Sequence, residues 1–412
     1  MRRWRALVLA MVMAAGCSHR VPQPPRAREV VFWETWPSGA ILQVLARFEA
    51  ENPGLRVSVK ILPQASARDT IAAAVATGHT PDLCQFASTD LPAYLASGAL
   101  SDWSAGVADQ RDSLIGWPTC MVGDAIYALP WLLDTRALYF NPALLARARL
   151  DPARPPGTWA ELETAAARVQ RLGQGVRGVG IASGEGDLFA TYMSFAWGDS
   201  VRLLSAGGDS SGIGSPRAVE ALEFLVHLRH NALLAERERV AGEFAAGRLG
   251  FLLEGASLLA RFRDRPASAR PGVAPVPRPS ARFGHHASLA TAQLLASFTT
   301  SKRKEDALRL ARFLVREDNV LLLVAAMPGT LPANRGADSA AYYRTRPAER
   351  TLVAQLEGAS FAPARRDWDG SEKAIEAQLA LALEGGKSAS QAIADADTCL
   401  DSLVSRRGKA GR

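Results

Sequence analysis

Four cysteines (Cys17, Cys84, Cys120, Cys399) in 412 residues are too few for a disulfide-framed mini-domain or a multi-cysteine zinc module. No apolar run reaches the ~20 residues of a membrane-spanning helix. Residues 6–16 fall short, and residues 320–327 end at Pro328. An excess of one charge is also nearly missing. The formal charge is +7, but Arg2, Arg3 and Arg5 supply three of those charges, and the rest of the chain carries only +4. The basic clusters Arg261/Arg263/Arg265/Arg270 and Arg406/Arg407/Lys409/Arg412 have no interleaved aromatics, so they read as solvated surface and not as a nucleic-acid groove. Histidine is scarce too. His227 and His230 have a metal-ligand spacing on a helix, but no carboxylate or cysteine is placed to complete the set. The adjacent His285 and His286 would point to opposite faces of a strand. No repeat recurs at a fixed period. Neither a metal nor a cofactor is called for.

What is present is globular. Hydrophobic residues make up 48% and charged residues 22%, which excludes a disordered chain. At ~150 residues per domain, the length suggests two to three domains.

Residues 1–5 are basic and residues 6–16 apolar, the layout of a secretory signal, so residues 1–16 are expected to be removed on export. Ala14-Ala15-Gly16-Cys17 resembles a bacterial lipoprotein signal, in which the cysteine becomes the mature N-terminus and carries lipid. Residues 17–28, with Pro22, Pro24 and Pro25, lack apolar periodicity and read as an extended tether. The expected product is exported, anchored through Cys17, and faces the periplasm or the cell exterior. The three remaining cysteines permit one disulfide at most.

Beyond the tether the chain alternates strand and helix. Residues 30–33 form a short apolar run, and Ile41, Leu45 and Phe48 then recur at helical spacing. Val57, Val59 and Ile61 alternate as a strand; residues 69–77 read as a helix, 81–86 as a strand and 91–97 as a helix. Residues 125–129 and 137–140 read as strands around a kink at Pro130. A second set follows, with Thr158 and Glu161 as a capping box, a strand at 179–182 and an aromatic-rich helix at 188–197. Ser215-Pro216 opens a helix, residues 249–253 and 273–276 are strands, and 285–298 is strand-like. Helices at 302–316 and 318–327 lead to a mainly helical end. This order predicts an α/β protein with mostly parallel sheets covered by helices.

Three enzyme-like patterns fail on context. The glycines of residues 173–178 follow a helix and precede a strand, the reverse of a dinucleotide site. Residues 208–212 match the nucleophile-elbow pattern around Ser210, but no good strand leads into them. Gly386-Lys387-Ser388 lacks the upstream glycine of a phosphate loop, since that position is Leu381. A hydrolase built on Ser210 is the enzyme alternative.

The order of the remaining features resembles the family 1 extracellular solute-binding proteins of ABC importers, the maltose-binding-protein-like sugar receptors. Trp33-Glu34-Thr35-Trp36 follows a first strand, and the next helix closes as Phe48-Glu49-Ala50-Glu51-Asn52-Pro53-Gly54. Gly78 to Leu83 is similar to the family's strand entry, and Tyr94 to Leu100 to its helix end. Ile126 to Pro130 with Leu138-Tyr139-Phe140-Asn141 resembles its hinge strand. Pro156 to Leu162 and Thr330 to Asn334 resemble two further markers. The resemblance implies a monomer of two α/β lobes with three hinge crossings, a carbohydrate in the cleft, and delivery to a membrane permease. On it, lobe one is residues 29–132 plus 286–330 and lobe two is 137–282 plus 335–404. The crossings are then 133–136, 283–285 and 331–334, and 405–412 is a basic tail.

Sugars need aromatic platforms and edge-on carboxylates or amides, placed beyond the carboxyl ends of the strands. The loops there offer Trp33, Glu34 and Trp36; Phe86, Ser88 and Asp90; and Trp131 with Asp134. The resemblance adds Phe195, Trp197, Glu254 and Trp368 as residues bordering the cleft. Trp36 and Trp131, flanked by turn residues, are expected to be exposed at the mouth. Trp33 could face either way, and Trp159 is expected in the core. A polyol phosphate or another anion is the alternative ligand, suggested by the arginine-rich composition.

Overall fold

The computed structural model describes residues 27–36, 39–184, 186–338, 341–365 and 368–408. The signal peptide, Cys17, most of the tether and the end of the basic tail lie outside the described residues. No helix among the described residues is long and apolar enough to cross a membrane.

The strands, in chain order, are β1 (Arg28–Glu34), β2 (Leu55–Ile61), β3 (Leu83–Ala87), β4 (Met121–Val122), β5 (Ala125–Ile126), β6 (Leu129–Thr135), β7 (Ala137–Phe140), β8 (Arg177–Ser183), β9 (Ala232–Glu236), β10 (Leu249–Glu254), β11 (Gly272–Ala274), β12 (Ser288–Ala296), β13 (Leu331–Pro332) and β14 (Ala359–Phe361). The first helices are α1 (Gly39–Glu51), α2 (Gln64–Thr77), α3 (Leu91–Ala96), α4 (Pro142–Arg147), α5 (Trp159–Gln170), α6 (Asp187–Gly198), α7 (Pro216–Arg229) and α8 (Arg237–Ala245). They continue as α9 (Lys304–Leu314), α10 (Glu317–Ala326), α11 (Arg335–Asp338), α12 (Ala341–Arg344), α13 (Pro347–Gln355), α14 (Trp368–Leu383) and α15 (Ala389–Gly408).

Two sheets build two lobes. The first runs β13-β6-β12-β3-β1-β2, with β14 paired to β12; β1 is parallel to both β2 and β3. The second runs β11-β7-β10-β8-β9, with β10, β8 and β9 parallel. Alternation in β1 buries Val30 and Phe32, and the apolar stripe of α1 (Ile41, Val44, Leu45, Phe48) packs onto the lobe's core. There Phe48 meets Phe313 of α9 edge-on at 5.3 Å. In the second lobe the capping box forms: Thr158 accepts from the Glu161 N–H, and Glu161 accepts from the Thr158 N–H. Gly178 lets α5 close on β8, because a Cβ there would lie 2.3 Å from the Ala166 carbonyl oxygen.

The structure departs from the sequence expectation in four places. β6 runs straight through Pro130 instead of breaking there. The register with β12 shifts at that point, with Gln293 opposite Leu132 and Leu294 opposite Pro130, so Trp131 is the extra residue of a bulge. A bulge tolerates the missing proline N–H and turns the next side chain inward. Second, β9 and α8 occupy a stretch for which no element was expected. Third, residues 331–334 are not a crossing: Leu331 and Pro332 pair with Leu133 and Leu132 at an edge of the first sheet. Fourth, β14, expected in lobe two, extends the first sheet. Strands of two and three residues are too short for a readable periodicity. Among the described residues, the chain passes between the sheets at Arg136 and over residues 275–287 between β11 and β12. Gln355 ties the second passage, accepting from the Val276 N–H at 2.9 Å and donating to the His286 carbonyl at 2.9 Å.

The cysteines Cys84, Cys120 and Cys399 are free thiols, the first two buried.

Candidate functional site

The parallel strands of the second lobe end at Ser183, Glu236 and Glu254, and around these ends lies a cavity of about 660 Å³. Its wall is mostly charged. Glu254, only 2% exposed, is held by Arg237, whose Nε lies 3.1 Å from each carboxylate oxygen and whose Nη2 lies 2.5 Å from Oε1. The Gly255 N–H donates to the same Oε1 at 2.7 Å. Arg136, from the passage between β6 and β7, places Nη1 3.6 Å from Glu254 Oε1 and donates from Nη2 to Asp187 Oδ1 at 2.9 Å. Arg261 donates to Glu238 at 2.5 Å. Burial pushes the Glu254 carboxyl up, but Arg136, Arg237 and the Gly255 N–H outweigh it and hold the group below the ordinary carboxylate value.

Asp134 sits at the passage itself. Its Oδ1 accepts the Ala256 N–H at 2.7 Å, so it joins β6 to the turn after β10. Burial raises its pKa, and that hydrogen bond and Arg136 oppose the rise.

At the carboxyl ends of the first sheet, Gln85 accepts the N–H groups of Thr35 (2.9 Å) and Trp36 (3.3 Å) and donates to Gln293 Oε1 at 3.1 Å. This fixes the turn that carries Trp36. Ser88 exchanges hydrogen bonds with the backbone of Ala292, and Asp90 pairs with Arg68 at 3.1 Å. Glu34 is fully buried with neither carboxylate oxygen partnered, and burial alone pushes it up to about 8.

Of the expected aromatic platforms, only Trp33 and Trp36 are partly open. Lys60 lies over the Trp33 ring at 4.4 Å. Trp131 is a correction: it is fully buried, meets Phe32 edge-on at 6.3 Å, and donates from Nε1 to the Leu314 carbonyl at 3.3 Å. Phe86 is also core, edge-on to Tyr94 at 5.0 Å. Phe195 and Trp197 lie on α6, whose residues from Leu188 to Gly198 are mostly apolar and all buried. Phe195 joins Trp159 and Phe224 in one aromatic cluster, which also places Trp159 in the core as expected. Trp368 is buried against Phe189 and donates to Glu372 at 2.9 Å. Of the two rings flanked by turn residues in the sequence, Trp131 is drawn inward by the bulge and Trp36 stays partly open, while Phe195 and Trp197 are buried along α6.

The charged residues Arg136, Asp187, Glu236, Arg237, Glu238 and Arg261 went unread as site residues. The one available signal was the Glu236-Arg237-Glu238 alternation directly after a short apolar run. Ser210 lies in a turn closed by the Leu204–Ser211 bridge, with its N–H directed to Ser205 Oγ at 3.3 Å. Among the described residues, no group of His, Cys, Asp and Glu is placed to hold a metal ion.

Two lobes with a charged cavity at the strand ends define a solute-binding protein. The chain belongs to the bacterial extracellular solute-binding proteins, whose family model matches residues 35–320. Among solved structures it is similar to the cyclic α-maltosyl-1,6-maltose binding protein of Arthrobacter globiformis, at 22% identity and TM-score 0.84, covering 92% of this chain and 100% of that one. The sugar-binding protein MalE of Xanthomonas citri matches at 24% identity and TM-score 0.83, covering 93% of this chain and 99% of that one. UgpB of Mycobacterium tuberculosis, in complex with glycerophosphocholine, matches at 21% identity and TM-score 0.78, covering 92% of this chain and 99% of that one. These likenesses establish the two-lobed fold.

Proposed function

We propose that this protein captures a neutral carbohydrate between its lobes and delivers it to the permease of an ABC importer. The observation that carries the reading is the pairing of the cavity's arginines. Arg237 and Arg261 of the wall, and Arg136 behind it, each lie in an ion pair with a carboxylate, so their charges are already balanced without an anionic ligand. Carboxylates held ionised by such pairs, as Glu254 is, accept hydroxyl hydrogen bonds in a charge-assisted way. Trp36 supplies a partly open ring from the first lobe, suited to the apolar face of a sugar. Two of the similar structures bear sugar-binding names, which supports the same reading.

The two lobes close on the ligand by hinge motion at the passages, and the permease recognises the closed form. Lipid on Cys17 holds the receptor at the membrane and raises its effective concentration near the permease. The protein acts as a monomeric receptor and turns nothing over. A second reading, capture of a polyol phosphate, draws on the likeness to UgpB. A thermal-shift screen separates the two, because a ligand stabilises the native state by mass action. Neutral mono- and oligosaccharides are expected to raise the melting temperature. A shift with glycerol 3-phosphate and with no neutral sugar overturns the reading.

A further inference from the structure

Glu34 is the anomaly of the first lobe. It is the last residue of β1, at the carboxyl end of the first sheet's parallel strands, where α/β proteins bind their ligands, with zero exposure and both carboxylate oxygens without a hydrogen-bond partner. Buried polar groups are nearly always paired, and an unpaired ionised carboxylate is costly to bury. The charged groups on the surrounding elements are engaged elsewhere. Lys60 of β2 lies over Trp33, whose side chain alternates to the opposite face. Asp82, before β3, accepts from the Val31 N–H and Ser301, and Asp90 pairs with Arg68 of α2. On α1, Arg47 pairs with Asp318 of α10, Glu49 with Arg56, and Glu51 with Arg316. At the passage, Asp134 holds Ala256 and Arg136 holds Asp187. Among the described residues Glu34 therefore has no counter-charge and no hydrogen-bond partner, which leaves its carboxyl open to a donor that a ligand would bring.

We propose that Glu34 is a proton-linked ligand contact: ligand hydroxyls donate to its carboxylate, and binding releases its proton to the solution. The inference rests on the carbohydrate reading. In the free protein burial keeps the carboxyl protonated at neutral pH, its value raised to about 8. The O–H bond of the acid breaks, its proton goes to the buffer, and the carboxylate left behind accepts the sugar's hydroxyls. Hydrogen bonds to the charged form lower a carboxyl's pKa, so the bound state favours ionisation. Affinity for a neutral sugar then rises with pH through the neutral range and levels off above the free-state value.

The test is calorimetric titration of the intact protein with a maltooligosaccharide series, at pH 6.0 and 7.5 and in buffers of different ionisation enthalpy. We expect affinity to rise at least about threefold over that interval, with release of up to about one proton per ligand. Glu34→Gln, which keeps the shape but cannot ionise, should bind with a flat pH profile and release no proton. A merely structural carboxyl would change melting temperature on substitution but would leave proton release on binding at zero. Saccharide binding in the wild type without proton release, or an unchanged pH profile in Glu34→Gln, overturns the inference alone. No saccharide binding at any pH overturns the carbohydrate reading and takes this inference with it.

Discussion

Arg237 Nε stands 3.1 Å from both oxygens of Glu254, and this contact ties the start of α8 to the end of β10 at the cavity wall. Arg136 reaches the same carboxylate from the passage between the lobes, so one buried anion joins two elements of lobe two to the hinge. Arg237→Ala removes the larger share of that grip. Its side chain is 43% exposed, so solvent screening limits the loss to roughly 1–2 kcal/mol. Glu254 is held below its ordinary value, so its stabilisation is present above the unfolded carboxylate pKa and lost as pH falls through the folded one. Melting curves from pH 3 to 7 should show Arg237→Ala losing stability at a higher pH than the wild type.

Glu34 has the opposite sign. Its folded value is raised to about 8, above the unfolded one, so its stabilisation is full below the unfolded pKa and lost as pH rises through about 8. Glu34→Gln should therefore raise the ligand-free melting temperature at pH 8–9 and change it little at pH 4. Equal shifts at both pH values would contradict this.

The two tryptophans once grouped together should now separate. Trp131→Ala empties a core site and should cost about 3–5 kcal/mol, read by chemical denaturation. Trp36→Ala should leave the ligand-free melting temperature nearly unchanged and weaken saccharide binding at least about tenfold.

Much of the fold was legible because its elements are local. The stripe of α1, the capping box of α5 and the Ser215–Pro216 start of α7 each follow from neighbouring residues, and each is found. The site was less legible because its geometry is nonlocal. Trp131 turned inward because of a register shift against a strand more than 150 residues later, which no window around Pro130 contains. Arg136 and Arg237 carry no local signal in the sequence, and only the fold brings them to Glu254. Glu34 was expected at the ligand from its position alone; its unpaired burial is visible only in three dimensions.

Asp134 links the passage to lobe two through the Ala256 N–H. Asp134→Ala leaves that buried donor unpaired and should cost ~1–3 kcal/mol by denaturant unfolding. Asp134→Asn, whose carbonyl still accepts, should cost less.

On the proposed reading the protein binds a neutral sugar and has no use for an anion. Titration of intrinsic tryptophan fluorescence at 50 and 500 mM salt tests it directly, with maltooligosaccharides and glycerol 3-phosphate as parallel ligands. Ligand charge decides the outcome, because shortening the screening length from ~14 to ~4 Å weakens attraction between charges and leaves a neutral sugar's contacts intact. Saturable binding of a saccharide is expected with the same affinity at both salt concentrations, with no response to glycerol 3-phosphate. Binding of the phosphate ester alone, weakening severalfold at high salt, would contradict it.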